Sequence, residues 1–362
     1  MKEKLELARE TINEIDSEMA KLFEKRMQAV KLVAEVKRQE GLPVLNTARE
    51  QEVISRNLEL VTDPDVKDYY VNFIKDTMAL SRDYQRRLMK GMKIAYCGVE
   101  GAFAHIASSR IFPDGELVSF GSFKEAYKAV EAGECDCAVL PIENSYAGDV
   151  AQVMDLSFFG SLYINGVYDL EITQNLLGVK GATIGDIKTV VSHPQALDQC
   201  AEYITEKGFN RVEASNTAKA AKEVVSKGDK SVAAIASEET AKLYGLEILE
   251  RSINKSSKNT TRFAVFSRTP KRNPLDKHLI MFFRVKNEPG SLSKAVSVIG
   301  ENGINMQALK SRPTKDHSFK YYFYVEGIGD LKEQNLKALE QELTEVCSDL
   351  KIVGTYENEE KI

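Results

Sequence analysis

With 362 residues, a formal net charge of −5 and 43% hydrophobic residues, the chain has the length of two or three globular domains and no cationic surplus with which to grip nucleic acid. No apolar run approaches the roughly 20 residues of a membrane span, and the charged start Met1-Lys-Glu-Lys-Leu-Glu lacks the apolar stretch of a secretion signal, so a cytoplasmic protein is expected. The five scattered cysteines fit reduced thiols, and Cys135-Asp-Cys137 has no second ligand pair, so no metal site is expected.

Residues 3 to 39 hold no Gly or Pro, and Leu5, Ala8, Ile12, Ile15, Met19, Leu22, Arg26, Ala29, Val33 and Val36 recur at three- and four-residue steps. This pattern predicts one long helix with a seam that packs against a partner chain. Gly41 and Pro43 end it. A second helix is predicted near Asn46-Thr47, where Thr47-Ala-Arg-Glu50 has the form of a capping box. A third is predicted from Asp63-Pro64, with aspartate as cap and proline in the first turn. Three such helices enclose little core alone, so an intertwined dimer is expected. Arg26 stands in the apolar seam, and a guanidinium there needs an anion. Either an internal carboxylate or a bound one meets that need.

The pattern Arg9, Arg26, Lys37, Arg49-Glu50, Ser81 and Gln85 resembles the all-helical chorismate mutase family. The resemblance implies a cofactor-free dimer that converts chorismate to prephenate. It implies that Arg9 (from the other chain), Arg26 and Arg49 bind carboxylates, with Ser81 assisting. Lys37 and Gln85 would donate to the ether oxygen, and Glu50 would hold the ring hydroxyl. Asn46 stands where the family often carries aspartate and would still accept a hydrogen bond from that hydroxyl. The chemistry suits such a set, since a pericyclic rearrangement needs a folded substrate and stabilised charge rather than a nucleophile.

After the polar joint Arg86–Gly91, strands and helices alternate to about residue 268, which argues for α/β architecture. Lys93–Cys97 reads as a strand followed by the turn Gly98-Val-Glu-Gly101 and a helix, a geometry that offers backbone amides to an anion. Ala138-Val-Leu140 reads as the end of a buried strand stopped by Pro141, with Glu143, Asn144 and Ser145 at the sheet mouth, where such folds bind ligands. A helix is expected over 149–159. Further strands are read at Thr189–Val191, Val232–Ile235 and Phe263–Phe266.

Polar residues gather where these strands end: Ser192-His193-Pro-Gln, Gln199, Ser215-Asn-Thr217, Ser237 and Asn259-Thr-Thr261-Arg262-Phe263. Together with Pro141-Ile-Glu-Asn144 they resemble the prephenate dehydratase family along residues 92–268. The resemblance implies two α/β lobes with a cleft between them. It also implies loss of carbon dioxide and water from prephenate to give phenylpyruvate, without metal or cofactor. Thr261 would act at the leaving hydroxyl, Asn144 and Gln199 would orient substrate, and Ser192 would line the cleft. A threonine is a poor acid, so a relay through water or through Glu143 is expected, with His193 structural. Ala104, Val99 and Gln174 depart from the family's usual Ser/Thr, Pro and His.

Pro270–Pro274 reads as a linker. Strands at Leu279–Val285, Ile304–Lys310, Lys320–Glu326 and Leu350–Tyr356, with helices at Ser291–Glu301 and Leu331–Cys347, form the βαββαβ order of a ferredoxin-like domain. Gly290, Ser291 and Leu292 before the first helix, and Ser311 and Arg312 after the second strand, resemble the amino-acid-binding ACT domain. They imply phenylalanine as an allosteric effector, although Lys310 replaces a common glutamate. A plain dimerisation module is the other reading of this segment.

The expected organisation is thus an all-α domain over 1–90, a bilobal α/β domain over 91–270 and an α+β ferredoxin-like domain over 271–362. The resemblance spans the chain and implies a bifunctional, phenylalanine-regulated homodimeric enzyme acting on chorismate and prephenate. A single-activity dehydratase with a structural helical domain, or a non-catalytic bilobal regulator, would share parts of the pattern.

Overall fold

A computed structural model describes residues 2–254, 259–314 and 321–362, and the chain divides into two compact units between Met92 and Lys93. The first unit is three helices. α1 runs over Lys2–Glu40, α2 over Thr47–Leu58 and α3 over Lys67–Lys90, after a short 3₁₀ turn at Pro64–Val66. Asp63 caps that turn through Asp65 N, as its position before Pro64 leads one to expect. The supposed joint at 86–90 is helical, and only Gly91, at φ 85°, ends α3.

Only Val30, Ala34, Ile74, Met78, Ser81 and Gln85 are buried among the described residues of this unit, and α2 buries none. The α1 face against α3 is Met27–Val30–Ala34. Most of the predicted seam points elsewhere: Leu5, Ile12, Ile15, Leu22 and Val36 are each about half exposed or more. A helix of 39 residues, roughly 58 Å long at 1.5 Å per residue, has far more apolar surface than α3 covers.

The second unit begins with β1 (Lys93–Cys97), α4 (Phe103–Ile111), β2 (Glu116–Phe120), α5 (Phe123–Glu131), β3 (Cys137–Asn144), β4 (Gly148–Asp149), α6 (Ala151–Phe159) and β5 (Tyr163–Glu171). The chain then crosses to a second lobe: β6 (Asn175–Gly178), β7 (Thr189–Ser192), α7 (Pro194–Gln199), α8 (Ala201–Lys207), β8 (Asn210–Glu213), α9 (Thr217–Lys227), β9 (Val232–Ala236), α10 (Glu238–Tyr244) and β10 (Glu247–Glu250). It returns to the first lobe as β11 (Thr260–Ser267). The C-terminal part is β12 (His278–Arg284), α11 (Ser291–Glu301), β13 (Asn305–Pro313), β14 (Tyr321–Ile328), α12 (Glu333–Val346), β15 (Asp349–Tyr356) and β16 (Glu360–Lys361). Lys320, the expected first residue of β14, lies outside the described residues.

The first-lobe sheet has the order β16-β5-β11-β3-β1-β2, with β4 hairpinned onto β3, and the second-lobe sheet has the order β10-β6-β9-β7-β8. Around β1 and β7 the pairings are parallel, with their connecting helices laid on the faces. The returning strand β11 is antiparallel to both β3 and β5.

Pro141 does not stop β3. The pairing with β1 has already ended at Val139, and the pairing with β11 bulges between Pro141 and Glu143. A residue without an N–H is tolerated at such a place. The continuation brings Asn144 opposite Thr261. Asp149 lies in β4, so the following helix starts two residues later than expected.

The third sheet, β13-β14-β12-β15, is the four-stranded antiparallel sheet of a ferredoxin-like fold. Its central run Leu279-Ile-Met-Phe-Phe283 is apolar at every position because both faces are covered. Leu279, Met281 and Phe283 pack with α11 and α12, whereas Ile280 and Phe282 join the first-lobe core with Tyr322, Tyr324 and Val353. At Gly354 a Cβ would come within 2.0 Å of the Ile164 carbonyl, so only glycine lets β15 approach β5 this closely. The stretch 270–274, read as a linker, joins β11 of the first lobe to β12 of the third sheet. One face of the third sheet shares a core with the first lobe, whereas its other face and the second lobe have apolar clusters of their own.

Candidate active sites

In the helical unit, Arg26 is part-buried beside α3. Its guanidinium donates to Ser81 Oγ and, at 3.4 Å, to the Thr77 carbonyl. Among the described residues no carboxylate pairs with it, and burial lowers its pKa with no opposing anion. No internal ion pair among the described residues meets this charge, and the requirement for an anion stands. Ser81 is buried, and Gln85, one turn further on the same face, is 8% exposed with its Oε1 unpartnered. Lys37 Nζ donates to the Val44 carbonyl at 2.6 Å, pinning the turn into α2.

The structure alters the roles read for the α2 start. Asn46, not Thr47, is the cap, and its Oδ1 accepts from Arg49 N at 3.0 Å. Glu50 is thereby released from a capping box and pairs with Arg82 of α3, a residue the motif reading missed. Arg49 pairs with Glu52 on the exposed face. Arg9 lies seventeen residues before Arg26, roughly 25 Å along the helix, and cannot share a pocket with it within one chain.

The second site is a cleft of about 710 Å³ lined by both lobes. β3 and β11 deliver its central pair: Asn144 Nδ2 donates to Thr261 Oγ1 at 2.8 Å and to Asn259 Oδ1 at 3.0 Å. Asn144 Oδ1 accepts from Tyr146 N, Ala147 N and Gln195 Nε2, so the amide is held from every side. Because Thr261 Oγ1 accepts from Asn144, its own proton is left to donate into the cleft. Gln199 and Gln174 line the cleft, 6% and 2% exposed, each with an unpartnered Oε1. Phe103, Phe120, Phe123 and Phe263 supply apolar walls, and Ala104 and Val99 line it too.

Two expectations fail here. Ser192 is fully buried and does not line the cleft. Its hydroxyl donates to the Ile235 carbonyl at 2.6 Å, tying β7 to β9. Glu143 is no proton relay, because it lies outside the cleft between Arg262 and Lys310, each within 3.0 Å. Burial would raise its pKa, but the bonds from Lys310 and Arg262 outweigh burial and hold it lowered, so it stays ionised. His193 caps α7 through Nδ1 and also faces the cleft. Gln195 and Lys219, which also line it, were missed: they sit two and three residues past a helix cap, where polarity is common for local reasons.

Beside Thr261, Arg262 reaches to the third sheet. It pairs with Glu143, Glu326 and Glu359, and Glu326 also accepts from Tyr324 Oη at 2.9 Å and Tyr356 Oη at 2.7 Å. His278, Glu326 and Glu359 lie within 4.8 Å of one another, a spacing that would suit a metal, but the guanidinium already holds both carboxylates. Burial alone would raise the Glu326 pKa; the Arg262 and tyrosine bonds reverse this and leave it lowered.

A carboxylate with a depressed folded pKa contributes stability above its unfolded value near 4.3, and that contribution is lost as pH falls through the folded value. The melting temperature of the second unit should thus fall steeply below about pH 4. Glu326→Gln should melt lower at pH 7 and show a shallower acid slope. Parallel slopes in a melting series from pH 7 to 3 would exclude Glu326 as a contributor.

Gly290 precedes α11 at φ 84° with no side-chain cap; the Ser291 amide turns back to the Glu288 carbonyl at 3.2 Å, and the next helix-start amide, Leu292 N, has no cap side chain. β13 is an edge strand, with Ser311 exposed. Arg312 is already engaged by Asp155 and Tyr322, each at 3.0 Å, and Lys310 by Glu143 and Asp149. Both side chains bind this chain's own first lobe.

Each of these parts has counterparts among known proteins. The chorismate mutase type II family matches residues 8–86, prephenate dehydratase residues 94–271 and the ACT domain residues 279–345. A bifunctional chorismate mutase/prephenate dehydratase of Aquifex aeolicus (strain VF5) is 30% identical over 362 residues, covering 98% of either chain. An Arabidopsis thaliana chloroplastic arogenate dehydratase/prephenate dehydratase is 36% identical over 281 residues, 73% of this chain and 72% of its own length. The solved prephenate dehydratase of Arthrobacter aurescens, in complex with L-Phe, superposes with a TM-score of 0.67 at 25% identity, covering 74% of this chain and 90% of that one.

A helical isomerase unit, a bilobal lyase cleft and an amino-acid-binding type of domain in one chain define a two-activity enzyme of phenylalanine biosynthesis. The chain belongs to the bifunctional chorismate mutase/prephenate dehydratase family. Among the described residues no helix is long and apolar enough to cross a membrane.

Proposed function

We propose that Arg26, Ser81, Gln85 and Lys37 of one chain, with Arg9 of a second copy, hold chorismate for rearrangement to prephenate, and that the cleft around Thr261 converts prephenate to phenylpyruvate. Arg49, Glu50 and Asn46 complete the first site by leaving their present partners, exposed Glu52 for Arg49 and Arg82 for Glu50, when substrate arrives. The uncovered seam of α1 supports a homodimer, since the half-exposed leucines and isoleucines need a partner surface. We place the enzyme in the cytoplasm, and divide the chain near residues 90 and 270 by function.

The observation that carries the dehydratase reading is the Asn144–Thr261 pair, a fixed hydroxyl in a cleft with apolar walls. The hydroxyl meets the departing ring hydroxyl and stabilises its growing negative charge. Gln199 and Gln174 offer further hydrogen bonds to the ring substituents. Aromatisation drives the ring carboxylate out as carbon dioxide, and the leaving hydroxide takes a proton delivered through water to become water. The test is to supply chorismate to the purified chain and follow its loss with the appearance of phenylpyruvate. Chorismate consumption without phenylpyruvate would leave only the first site standing.

Phenylalanine, by this reading, places its carboxylate at the uncapped start of α11 beside Leu292, with β13 of a second copy closing the site beside Ser311. Lys310 and Arg262 carry the effect, because they join β13 and β14 to Glu143 and so to the residues flanking Asn144 and Thr261. A coupling of about 1–3 kcal/mol suffices for several-fold inhibition. Gly290→Val puts a β-branched residue at a positive φ it rarely adopts, which strains the turn that leads into α11. The variant should lose calorimetric phenylalanine binding and inhibition while keeping uninhibited dehydratase activity. Normal inhibition in the variant would move the effector site elsewhere.

A further inference from the structure

Among the described residues lining the cleft, Lys219 alone carries a formal charge at neutral pH. The rest are apolar, hydroxyl or amide side chains and His193. Prephenate bears two carboxylates, so one cation faces two anions. Lys219 sits in the first turn of α9, where Asn216 Oδ1 accepts its backbone N–H at 2.7 Å, and its exposed side chain is free of any partner among the described residues. Ser215, Asn216 and Thr217 line the cleft beside it, so the ammonium stands with the positive end of an eleven-residue helix. The buried amides of Gln174 and Gln199, with unpartnered oxygens, line the same cleft and are neutral.

The two carboxylates make opposite demands. The ring carboxylate departs as carbon dioxide and loses its charge in the transition state, so a cation fixed on it would stabilise the ground state and slow the reaction. The side-chain carboxylate keeps its charge throughout, and a cation there strengthens binding without penalty to the chemical step. From this we infer that Lys219 binds the side-chain carboxylate of prephenate and selects the 2-oxo side chain over its 2-amino counterpart. In arogenate, an ammonium replaces the oxo group next to that carboxylate, and Lys219 would repel it. This deepens the dehydratase reading of the cleft and rests on it.

The experiment compares prephenate and arogenate as substrates for wild type, Lys219→Ala, Lys219→Arg and Lys219→Glu in the full chain, with circular dichroism and thermal melting of each variant as the measure of folding. Lys219→Ala should raise the prephenate KM about tenfold with kcat within about twofold, an effect on binding alone. Its prephenate-to-arogenate preference in kcat/KM should drop by at least that factor. Lys219→Arg should restore the preference, Lys219→Glu should reverse it, and the prephenate KM of wild type alone should rise steeply with salt. A prephenate KM and preference unchanged in Lys219→Ala overturn the lysine's role, as does a fall in kcat at constant KM, which marks a structural effect on α9. A wild-type chain inert toward prephenate overturns the dehydratase reading itself, and the inference with it.

Discussion

Thr261→Ala is expected to reduce phenylpyruvate formation by about two to three orders of magnitude, the usual loss on removing one fixed donor to a developing negative charge. The expectation rests on the hydroxyl's position. Asn144 holds Oγ1 at 2.8 Å, and Asn144 is in turn held by two backbone amides and Gln195, so the donor is oriented before substrate arrives. Prephenate should accumulate when the variant is given chorismate, because the helical unit is untouched. Thr261→Ser keeps the hydroxyl but loses the methyl that restricts its rotation, and should retain part of the rate. The side chain is only partly buried, so folding should survive either change. Unchanged turnover of prephenate by Thr261→Ala would remove the residue from the site.

Arg26→Ala should lower chorismate turnover by a similar factor, about 3–4 kcal/mol in transition-state terms, with dehydration of supplied prephenate nearly intact. The guanidinium is part-buried, hydrogen-bonded only to Ser81 and the Thr77 carbonyl, and lacks a carboxylate partner among the described residues. Such a charge is costly to hold unless an anion completes it. Arg26→Lys keeps the charge without the planar fork and should recover little, since the bidentate geometry is lost. Arg26 lies in the first compact unit and the cleft in the second, so supplied prephenate serves as the internal control and circular dichroism checks the helices. Normal chorismate turnover in Arg26→Ala would reduce the arginine to a structural tie between α1 and α3.

Glu143 shows how a sequence neighbour misleads. It precedes Asn144 and invites a role in proton transfer, but alternate residues of a strand face opposite sides. Asn144 points into the cleft, whereas Glu143 turns to Arg262 and Lys310. The same alternation separates Thr261 from Arg262: one residue serves the chemistry and its neighbour the third sheet. Ser192 failed for a related reason, since a hydroxyl ending a buried strand can satisfy the next strand's carbonyl instead of a ligand.

The elements themselves were legible in the sequence wherever a period was strong. The long α1, the α11 start at Gly290 and the βαββαβ order all followed from spacing, glycine and proline, because those signals are local. Asn144 and Thr261 stood out in the sequence only through the resemblance to the prephenate dehydratase family, because each polar cluster alone reads as an ordinary helix cap. What the sequence by itself could not determine was which strands pair and what each face touches. β11 returns beside β3 and β5 after the whole second lobe, and that long-range pairing brings Asn144 to Thr261 across 117 positions. Likewise, only the tertiary structure decided that the third sheet docks on the first lobe, through Ile280, Phe282 and the Arg262–Glu326 pair. An apolar strand reads the same whether a helix or a neighbouring domain covers it, because burial is indifferent to the identity of the partner.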